Sequence, residues 1–330
     1  VVANGTAENK IVFTAFADDT YGGDIDGVVV TPVKGAWFGV ELYAGSASST
    51  FSHTIFRYGG NYGTGLFTKA MLYAETSPTI SNSTFEYSKA YGLFLKGSKS
   101  TVSGNIFRFN TGTTYSAGMY AQGATGGSLV NNQFLDNAVG LSIIGFTGDI
   151  KDNTFVNNTI SAFSLGGPLV GTVSGNGGSG NVSNTIDLSG SISLAGATTT
   201  LASNSMPYFL YGPVTVPALS ALVFEGGSTL KANMSGSAGN LFVYGRLETN
   251  GPPAGEAGSS PTGVTFTSTS ATTTKGAWNG VNMYAGSSSR LTGLNVNGAK
   301  IGIKYTSSPI NLDNVSFTNN TTAIQSFTST

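Results

Sequence analysis

The sequence contains no cysteine, only one histidine and little charge of either sign. Without cysteine there are no disulfides, no thiolate metal sites and no cysteine nucleophile. Lys and Arg number 15 against 16 Asp and Glu, so the net charge is −1 and no basic surface for nucleic acid or anionic membrane is expected. The apolar runs are far shorter than the roughly 20 residues that span a bilayer. We therefore expect neither a nucleic-acid partner nor membrane insertion.

Aromatic residues and glycine are abundant by contrast. The chain has 20 Phe, 14 Tyr and 47 Gly, and 39% of its residues are hydrophobic. This apolar content is enough to order the chain. Glycine at about twice its usual share indicates many turns. No segment shows helical periodicity, so the sequence predicts an all-β protein.

A short repeat runs through the chain. ISNSTFEYS, VSGNIFRFN, LVNNQFLDN and IKDNTFVNN share an apolar residue, a polar turn and a Phe, and a second apolar strand follows each. The Phe residues are separated by 22, 27 and 21 positions, and lie at Phe85, Phe107, Phe134 and Phe155. Units this short cannot bury their own apolar face, so they must stack. The prediction is a β-solenoid with Phe over Phe inside and Asn ladders at the bends.

A longer repeat divides the chain in two. KGAWFGVELYAGS at 34–46 returns as KGAWNGVNMYAGS at 275–287, with ten identities in thirteen positions. We interpret this as an internal duplication, with a first copy at 1–180 and a second, continuous with it, at 181–330. The first copy carries about twelve extra residues, and the acidic stretch at 17–27 accounts for them.

The second copy resembles a known group of proteins. It reads VTVPALSALVFEGGSTL, LFVYGRLETNG, GVTFTS, KGAWNGV and LDNVSF in order. This order is similar to that of bacterial and archaeal surface proteins of the right-handed parallel β-helix, pectin-lyase-like superfamily. The resemblance implies a single-stranded, right-handed parallel β-helix. It leaves function open, because lyases, hydrolases, phage tailspikes, adhesins and structural proteins share the fold.

The acidic stretch is the candidate metal site. Asp18, Asp19, Asp24 and Asp26 lie within nine residues around a Gly-Gly turn. Carboxylates at this density repel one another without a cation, and hard oxygen ligands suit Ca²⁺. We predict calcium here and no other cofactor. A solvated acidic loop is the alternative.

Catalytic chemistry is not expected. His53 and Arg57 form the one His-Arg neighbourhood, and on an alternating strand they would face the same side. We interpret them as polar ladder positions, because the other carboxylates outside the acidic stretch are scattered. Trp37 and Trp278 recur with their flanking glycines. A core or coil-edge role is favoured for both over a sugar platform.

Eight Asn-x-Ser/Thr sequons are candidate glycosylation sites. A chain this rich in Asn, Ser and Thr contains about seven by chance under the motif rule. The candidates are Asn4, Asn82, Asn157, Asn181, Asn233, Asn314, Asn319 and Asn320.

The expected function is a secreted, extracellular or cell-surface structural or adhesive solenoid that assembles head to tail. The chain starts at Val1 without a signal peptide, as a processed chain or an excerpt of a longer array would. Neither end has the polar cap that solenoids need. The expected partner is another copy, with surface carbohydrate as a further possibility. A polysaccharide lyase or hydrolase, and a tailspike-like fibre module, remain alternatives.

Overall fold

The computed structural model describes residues 1–46, 48–61, 69–113, 116–234, 239–251, 263–270, 274–306 and 309–327, without the side chains of residues 124 and 125. Over these residues the regular elements are all β-strands, and their pairings are parallel. The prediction of an all-β solenoid with an internal duplication is confirmed.

The chain divides into two compact units. Unit 1 comprises Val1–Ser164 and Asn176–Asn184, and unit 2 comprises Leu165–Gly175 and Thr185–Thr330. The division of the duplication into 1–180 and 181–330 stays a prediction.

The first three coils of unit 1 hold three separate strands each, and from the fourth coil onward the third strand of a coil runs without a break into the first strand of the next. In chain order they are β1 (Val2–Asn4), β2 (Ile11–Phe13), β3 (Val40–Leu42), β4 (Thr50–Ser52), β5 (Thr54–Arg57), β6 (Ala70–Ala74), β7 (Thr79–Ser81), β8 (Thr84–Glu86), β9 (Tyr91–Lys96), β10 (Thr101–Ser103), β11 (Ile106–Arg108), β12 (Ala117–Val130), β13 (Gln133–Leu135), β14 (Val139–Lys151), β15 (Thr154–Val156), β16 (Ser161–Ser174, shared with unit 2) and β17 (Gly177–Ser179).

Unit 2 continues the numbering with the same parallel arrangement. Its strands are β18 (Ile186–Ser191), β19 (Thr198–Leu201), β20 (Tyr208–Val216), β21 (Ala221–Glu225), β22 (Thr229–Ala232), β23 (Asn240–Val243), β24 (Arg246–Asn250), β25 (Val264–Ser268), β26 (Gly280–Met283), β27 (Ser289–Thr292), β28 (Leu294–Asn297), β29 (Ile301–Tyr305), β30 (Ile310–Asp313), β31 (Ser316–Thr318) and β32 (Thr322–Ser326).

The middle strands of unit 1 hold a continuous column of Phe rings. The register pairs Phe56 with Phe85 and Phe85 with Phe107, because every middle strand before β17 contributes a Phe at the same position, where β17 has Gly178. Neighbouring rings lie 4.8–5.0 Å apart and nearly parallel, and the column runs through Phe13, Phe56, Phe85, Phe107, Phe134 and Phe155. Stacked rings at this spacing add to the free energy of apolar burial.

Two ladders of buried Asn follow the bends on either side of this column. In the first, Asn132 Nδ2 donates to Asn153 Oδ1 at 3.0 Å and to Val102 O at 2.9 Å. Asn132 Oδ1 in turn accepts the backbone N–H of Asn105 at 3.0 Å. The ladders comprise Asn105, Asn132, Asn153 and Asn176, and Asn110, Asn137, Asn158 and Asn181. Each amide satisfies buried backbone groups where the chain turns.

The same bends need left-handed backbone. The turn after the first strand has a positive φ at His53, Asn82 and Asn131, between 49° and 57°. The turn after the middle strand has one at Tyr58, Tyr87 and Phe109, close to 60°. Asn tolerates this conformation, whereas bulky aromatic residues rarely adopt it. These aromatic rings stack on one another, 5.2 Å apart between ring centres, and this stacking offsets the cost of the left-handed backbone.

The duplication is visible in equivalent hydrogen bonds of the two units. Trp37 Nε1 donates to Arg57 O and Trp278 Nε1 donates to Asn297 O, both at 2.8 Å. By the repeat alignment, β1–β5 correspond to β24–β28. Both tryptophans therefore tie their coil to the end of the next middle strand, and Trp278 is fully buried.

We expect that replacing one ladder residue, Asn132→Ala, lowers the free energy of unfolding by about 2–5 kcal/mol. The variant leaves the Asn105 N–H and the Val102 carbonyl buried without their partner. Gln133→Ala, at the exposed neighbouring position, should change it by about 0.5 kcal/mol or less. Denaturant titration of the variants measures both. Equal losses would show that the ladder does not stabilise the coils.

Candidate functional site

The acidic insertion of the first copy lies between β2 and β3 and is anchored to the side of unit 1. Lys34 Nζ donates to Phe109 O at 2.7 Å, and the Ala36 N–H donates to Tyr58 O at 2.8 Å. Burial lowers the pKa of Lys34. These bonds tie the segment that follows the insertion, which both copies share, to the aromatic residues of the left-handed turns.

A buried ionic cluster lies under the insertion. Arg57 Nε is 3.4 Å from Asp18 Oδ2 and 3.1 Å from Glu86 Oε1. Arg108 reaches the other oxygen of Glu86, with Nη2 at 2.6 Å. The Asp18, Glu86 and Arg57 side chains are at most 10% exposed. Removing one partner of such a cluster leaves a buried charge uncompensated and destabilises the fold by about 3–5 kcal/mol.

The guanidinium of Arg57 also packs against tyrosine rings. It lies 4.7 Å from the ring centre of Tyr58 and 5.3 Å from that of Tyr21, which belongs to the insertion. Cation–π contact is strongest at desolvated positions of this kind. Arg57 therefore fastens the insertion to the solenoid, which is a structural role.

The insertion brings together three of the four predicted metal ligands. One carboxylate oxygen from each of Asp19, Asp24 and Asp26 lies within 4.8 Å of the other two. Ca²⁺–oxygen bonds of 2.3–2.6 Å allow ligand oxygens to be up to about 5 Å apart. Asp19 Oδ1 is shielded from solvent and accepts no hydrogen bond from the residues described. This oxygen is the kind of unsatisfied acceptor that an ion or water completes.

The charges and hydrogen bonds of the three carboxylates also fit a metal site. Burial, followed by the charges of Asp24 and Asp26, raises the pKa of Asp19. Asp24 Oδ1 accepts the backbone N–H groups of Asp26 and Gly27 at 3.2 and 2.6 Å, which fixes the loop. Asp18 is not the fourth member, because its carboxylate is buried against Arg57. Calcium binding itself stays a prediction.

His53 and Arg57 do not share a strand face. His53 occupies the left-handed turn before β5, with a φ of 49°, whereas Arg57 ends that strand. Their spacing of four therefore does not follow strand alternation, and the expectation that they face the same side is wrong. His53 Nδ1 lies 2.9 Å from Ser52 Oγ, and Arg57 belongs to the buried ionic cluster.

The sequons differ in accessibility. Asn4, Asn82, Asn157, Asn314 and Asn319 are exposed, whereas Asn233 and Asn320 are partly buried. Asn181 is buried in the second ladder and its Nδ2 donates to Phe155 O at 2.9 Å. A glycan there would break the ladder, so Asn181 does not suit glycosylation. Asn320 Nδ2 donates to Val296 O, and Ser235 of the Asn233 sequon lies outside the described residues.

An aromatic row that the sequence analysis missed lies on the outward face of the third strand in successive coils of unit 1, and it ends at Tyr120, whose next register partner is Ser142. Tyr73, Phe94 and Tyr120 are consecutive register partners on β6, β9 and β12. Tyr43 continues the row after β3, and Tyr91 lies beside it. The outward alternation was readable in YGLFLKG and AGMYAQG. This alternation did not stand out in the sequence because the core positions of this chain also carry aromatic residues.

Two glutamates border this row. Glu75 Oε1 accepts the Tyr73 hydroxyl at 2.6 Å and Lys96 Nζ at 3.1 Å, and Oε2 accepts the Ala44 N–H at 3.2 Å. The Tyr73 hydrogen bond, with those of Ala44 and Lys96, lowers the pKa of Glu75 to about 2. Glu41 accepts the hydroxyl of Tyr43 and thereby raises the pKa of that phenol. Glu75 is therefore ionised at neutral pH.

Comparison with known proteins gives one family. The family model described as "Right handed beta helix region" matches residues 38–205, slightly more than half of the chain. No curated protein and no solved structure matches significantly. The described residues include no helix of the length and hydropathy that a membrane span requires.

We predict that millimolar Ca²⁺ raises the melting temperature by about 5 °C relative to chelator, because the ion stabilises only the folded insertion. Asp24→Asn with Asp26→Asn should abolish the difference, since Asn keeps the loop-fixing acceptor but loses the charge. Asp152→Asn, an exposed turn carboxylate outside the insertion, is the control. Equal melting of the parent protein in calcium and in chelator would exclude the site.

Proposed function

The chain belongs to the right-handed β-helix family, whose fold serves enzymes and non-enzymes alike, and from this premise we propose that it is a non-catalytic structural or adhesive solenoid. Copies associate end to end, outside the cell or on its surface. The extracellular location is supported by the resemblance of the second copy to surface proteins.

The observation that carries the proposal is the exposed core of the coil formed by β30–β32. Leu312 is 39% and Ile324 is 40% exposed, whereas their partners one coil earlier, Leu291 and Ile303, are buried. These side chains point toward the solenoid axis and are followed by no further coil among the described residues. An identical subunit can supply the missing surface.

The coil formed by β1–β3 offers the complementary face. β1 pairs with β4, β2 with β5 and β3 with β6. The opposite edges of these three strands have no partner strand within the described part of the chain. Phe13 on β2 is partly exposed, whereas Phe56, the next ring of the column, is fully buried.

The second copy supports the view that a further coil pairs with the open edges of β1–β3. Its strands β24–β26 correspond to β1–β3, and β21–β23 pair with them on the side that is open in the first copy. In an end-to-end contact, β30–β32 of another subunit take the place of β21–β23. Leu312, Phe317 and Ile324 then lie over Ala3, Phe13 and Val40.

Electrostatics do not oppose this contact. Asp313 is the one ionisable side chain of β30–β32, Glu41 is the one of β1–β3, and Glu8 and Lys10 lie between β1 and β2. Charged residues on an exposed sheet edge are a common device against edge pairing, and few are present here.

The enzyme alternative lacks support from the acidic residues of unit 1. A general acid needs a pKa near the working pH, yet hydrogen bonds hold that of Glu75 at about 2. Asp18 and Glu86 are paired with Arg57, and His53 lies against Ser52. These contacts favour a non-catalytic role.

We predict that the protein releases neither unsaturated products nor new reducing ends from polygalacturonate, xylan or glucomannan. The assay is absorbance at the wavelength of the unsaturated uronide together with a reducing-sugar assay. Product release that survives further purification would make the lyase or hydrolase alternative the better proposal.

The end-to-end contact is tested with Leu312→Glu, which places a charge in the middle of the proposed interface. Asn311→Glu, at the exposed position on the same strand, is the matched control. We expect filaments of the parent and of Asn311→Glu in negative-stain micrographs, and monomers of Leu312→Glu in sedimentation velocity.

A proline probes the edge hydrogen bonds separately. The Phe327 N–H donates to Tyr305 O, and because amides alternate along a strand, the adjacent Ser326 N–H points to the open edge. Ser326→Pro should therefore weaken assembly while leaving the pairing of β32 with β29 intact. A parent protein that stays monomeric at high concentration would refute the end-to-end proposal.

A further inference from the structure

We infer that the outward aromatic row of unit 1 is a binding surface for a neutral polysaccharide. The row consists of Tyr43, Tyr73, Tyr91, Phe94 and Tyr120 and is called the aromatic shelf below. All of its residues belong to one subunit, so a monomer carries it complete, although Tyr43 follows β3 in the coil that forms the proposed end-to-end contact.

The shelf places one ring on each successive coil. Phe94 lies 5.1 Å from Tyr73 and 4.8 Å from Tyr120, centre to centre, and Tyr91 stacks on Tyr120 at 5.0 Å. Tyr43 joins the other end of the row, 6.2 Å from Tyr73. The parallel register of the sheet sets these distances. A linear polymer lying along the row therefore follows a line of aromatic rings from Tyr43 to Tyr120.

The rings differ in how far they reach solvent. Tyr43 is 47% exposed, whereas Tyr73 is buried between its neighbours. Tyr91, Phe94 and Tyr120 are partly exposed. Tyr73 therefore supports the shelf, and the other four rings offer the contact surface. The outward positions of the first strands of the coils carry hydroxyl groups instead of rings. They are Thr79, Ser81, Thr101, Ser103 and Ser128.

A sugar fits this surface better than a purely apolar partner does. The apolar faces of pyranose rings suit flat aromatic side chains, and sugar hydroxyls need polar groups close by. The shelf supplies the carboxylates of Glu41 and Glu75, the tyrosine hydroxyls and the exposed amide of Gln122. A purely apolar partner would desolvate these groups without hydrogen bonds.

The charge of the shelf selects a neutral polymer. Beside Glu41 and Glu75 lies the ammonium of Lys96, which already pairs with Glu75 at 3.1 Å. A uronic-acid polymer would bring further carboxylates beside these two. A neutral glucan, mannan or xylan meets no such repulsion.

The test is affinity electrophoresis of the monomeric Leu312→Glu protein in gels containing hydroxyethylcellulose, glucomannan, xylan or polygalacturonate. We expect retardation by at least one neutral polymer and none by polygalacturonate. The retardation should persist at high salt, because no ion pair with the polymer is involved.

Variants then locate the surface. Tyr43→Ala and Phe94→Ala should each weaken binding by about tenfold, the effect of losing about 1.4 kcal/mol of ring contact. Tyr211→Ala removes a ring that is 68% exposed in unit 2 and should leave binding unchanged. Tyr43 is the most exposed ring of the shelf, so its variant should melt with the parent.

Three results would overturn the inference. One is the absence of retardation by every neutral polymer, and another is equal retardation of the parent and both shelf variants. The third is a shelf variant that alters the oligomeric state of the wild-type background while glycan binding is unchanged, which would identify a protein interface. None of these depends on whether filaments form.

Discussion

The stacking of one coil on the next is the constraint on which the rest of the molecule depends. Parallel pairing fixes the spacing at the usual distance between strands, and each buried side chain must match the one above and below. Phe meets Phe and Asn meets Asn at 21- to 27-residue intervals because only repetition satisfies that spacing. The repeat in the sequence thus follows from the fixed spacing between neighbouring coils.

The stacked coils were predictable for this reason, whereas the side chains beside them were not. Phe85 and Phe107 recur at the coil interval, so periodicity alone placed them inside. Glu86 follows Phe85 directly, yet its charge is balanced under the insertion by Arg57, which also pairs with Asp18, some seventy residues earlier in the chain than Glu86. No local pattern records a contact of that kind. The aromatic shelf was missed for a related reason, since its rings alternate with core residues of similar type.

The insertion shows how a solenoid accommodates extra residues. The second copy connects β25 to β26 without the acidic stretch, and both copies keep the tryptophan that ties the coil to its neighbour. Extra chain is therefore tolerated at a corner, where it leaves the register of the strands unchanged. Asp18 and Arg57 then hold the added segment against the coils.

The Asn ladders have a direction. Each Oδ1 accepts from the coil before it, and the backbone N–H of each ladder Asn up to Asn153 and Asn158 donates to the coil after it. The amide dipoles consequently point the same way, and in a dry interior each one polarises the next. Unit 1 thus carries two aligned rows of dipoles along its bends, a side-chain counterpart of the dipole of an α-helix. A coil threaded in the opposite sense would interrupt both rows, so the amides select the chain direction of every coil added to them.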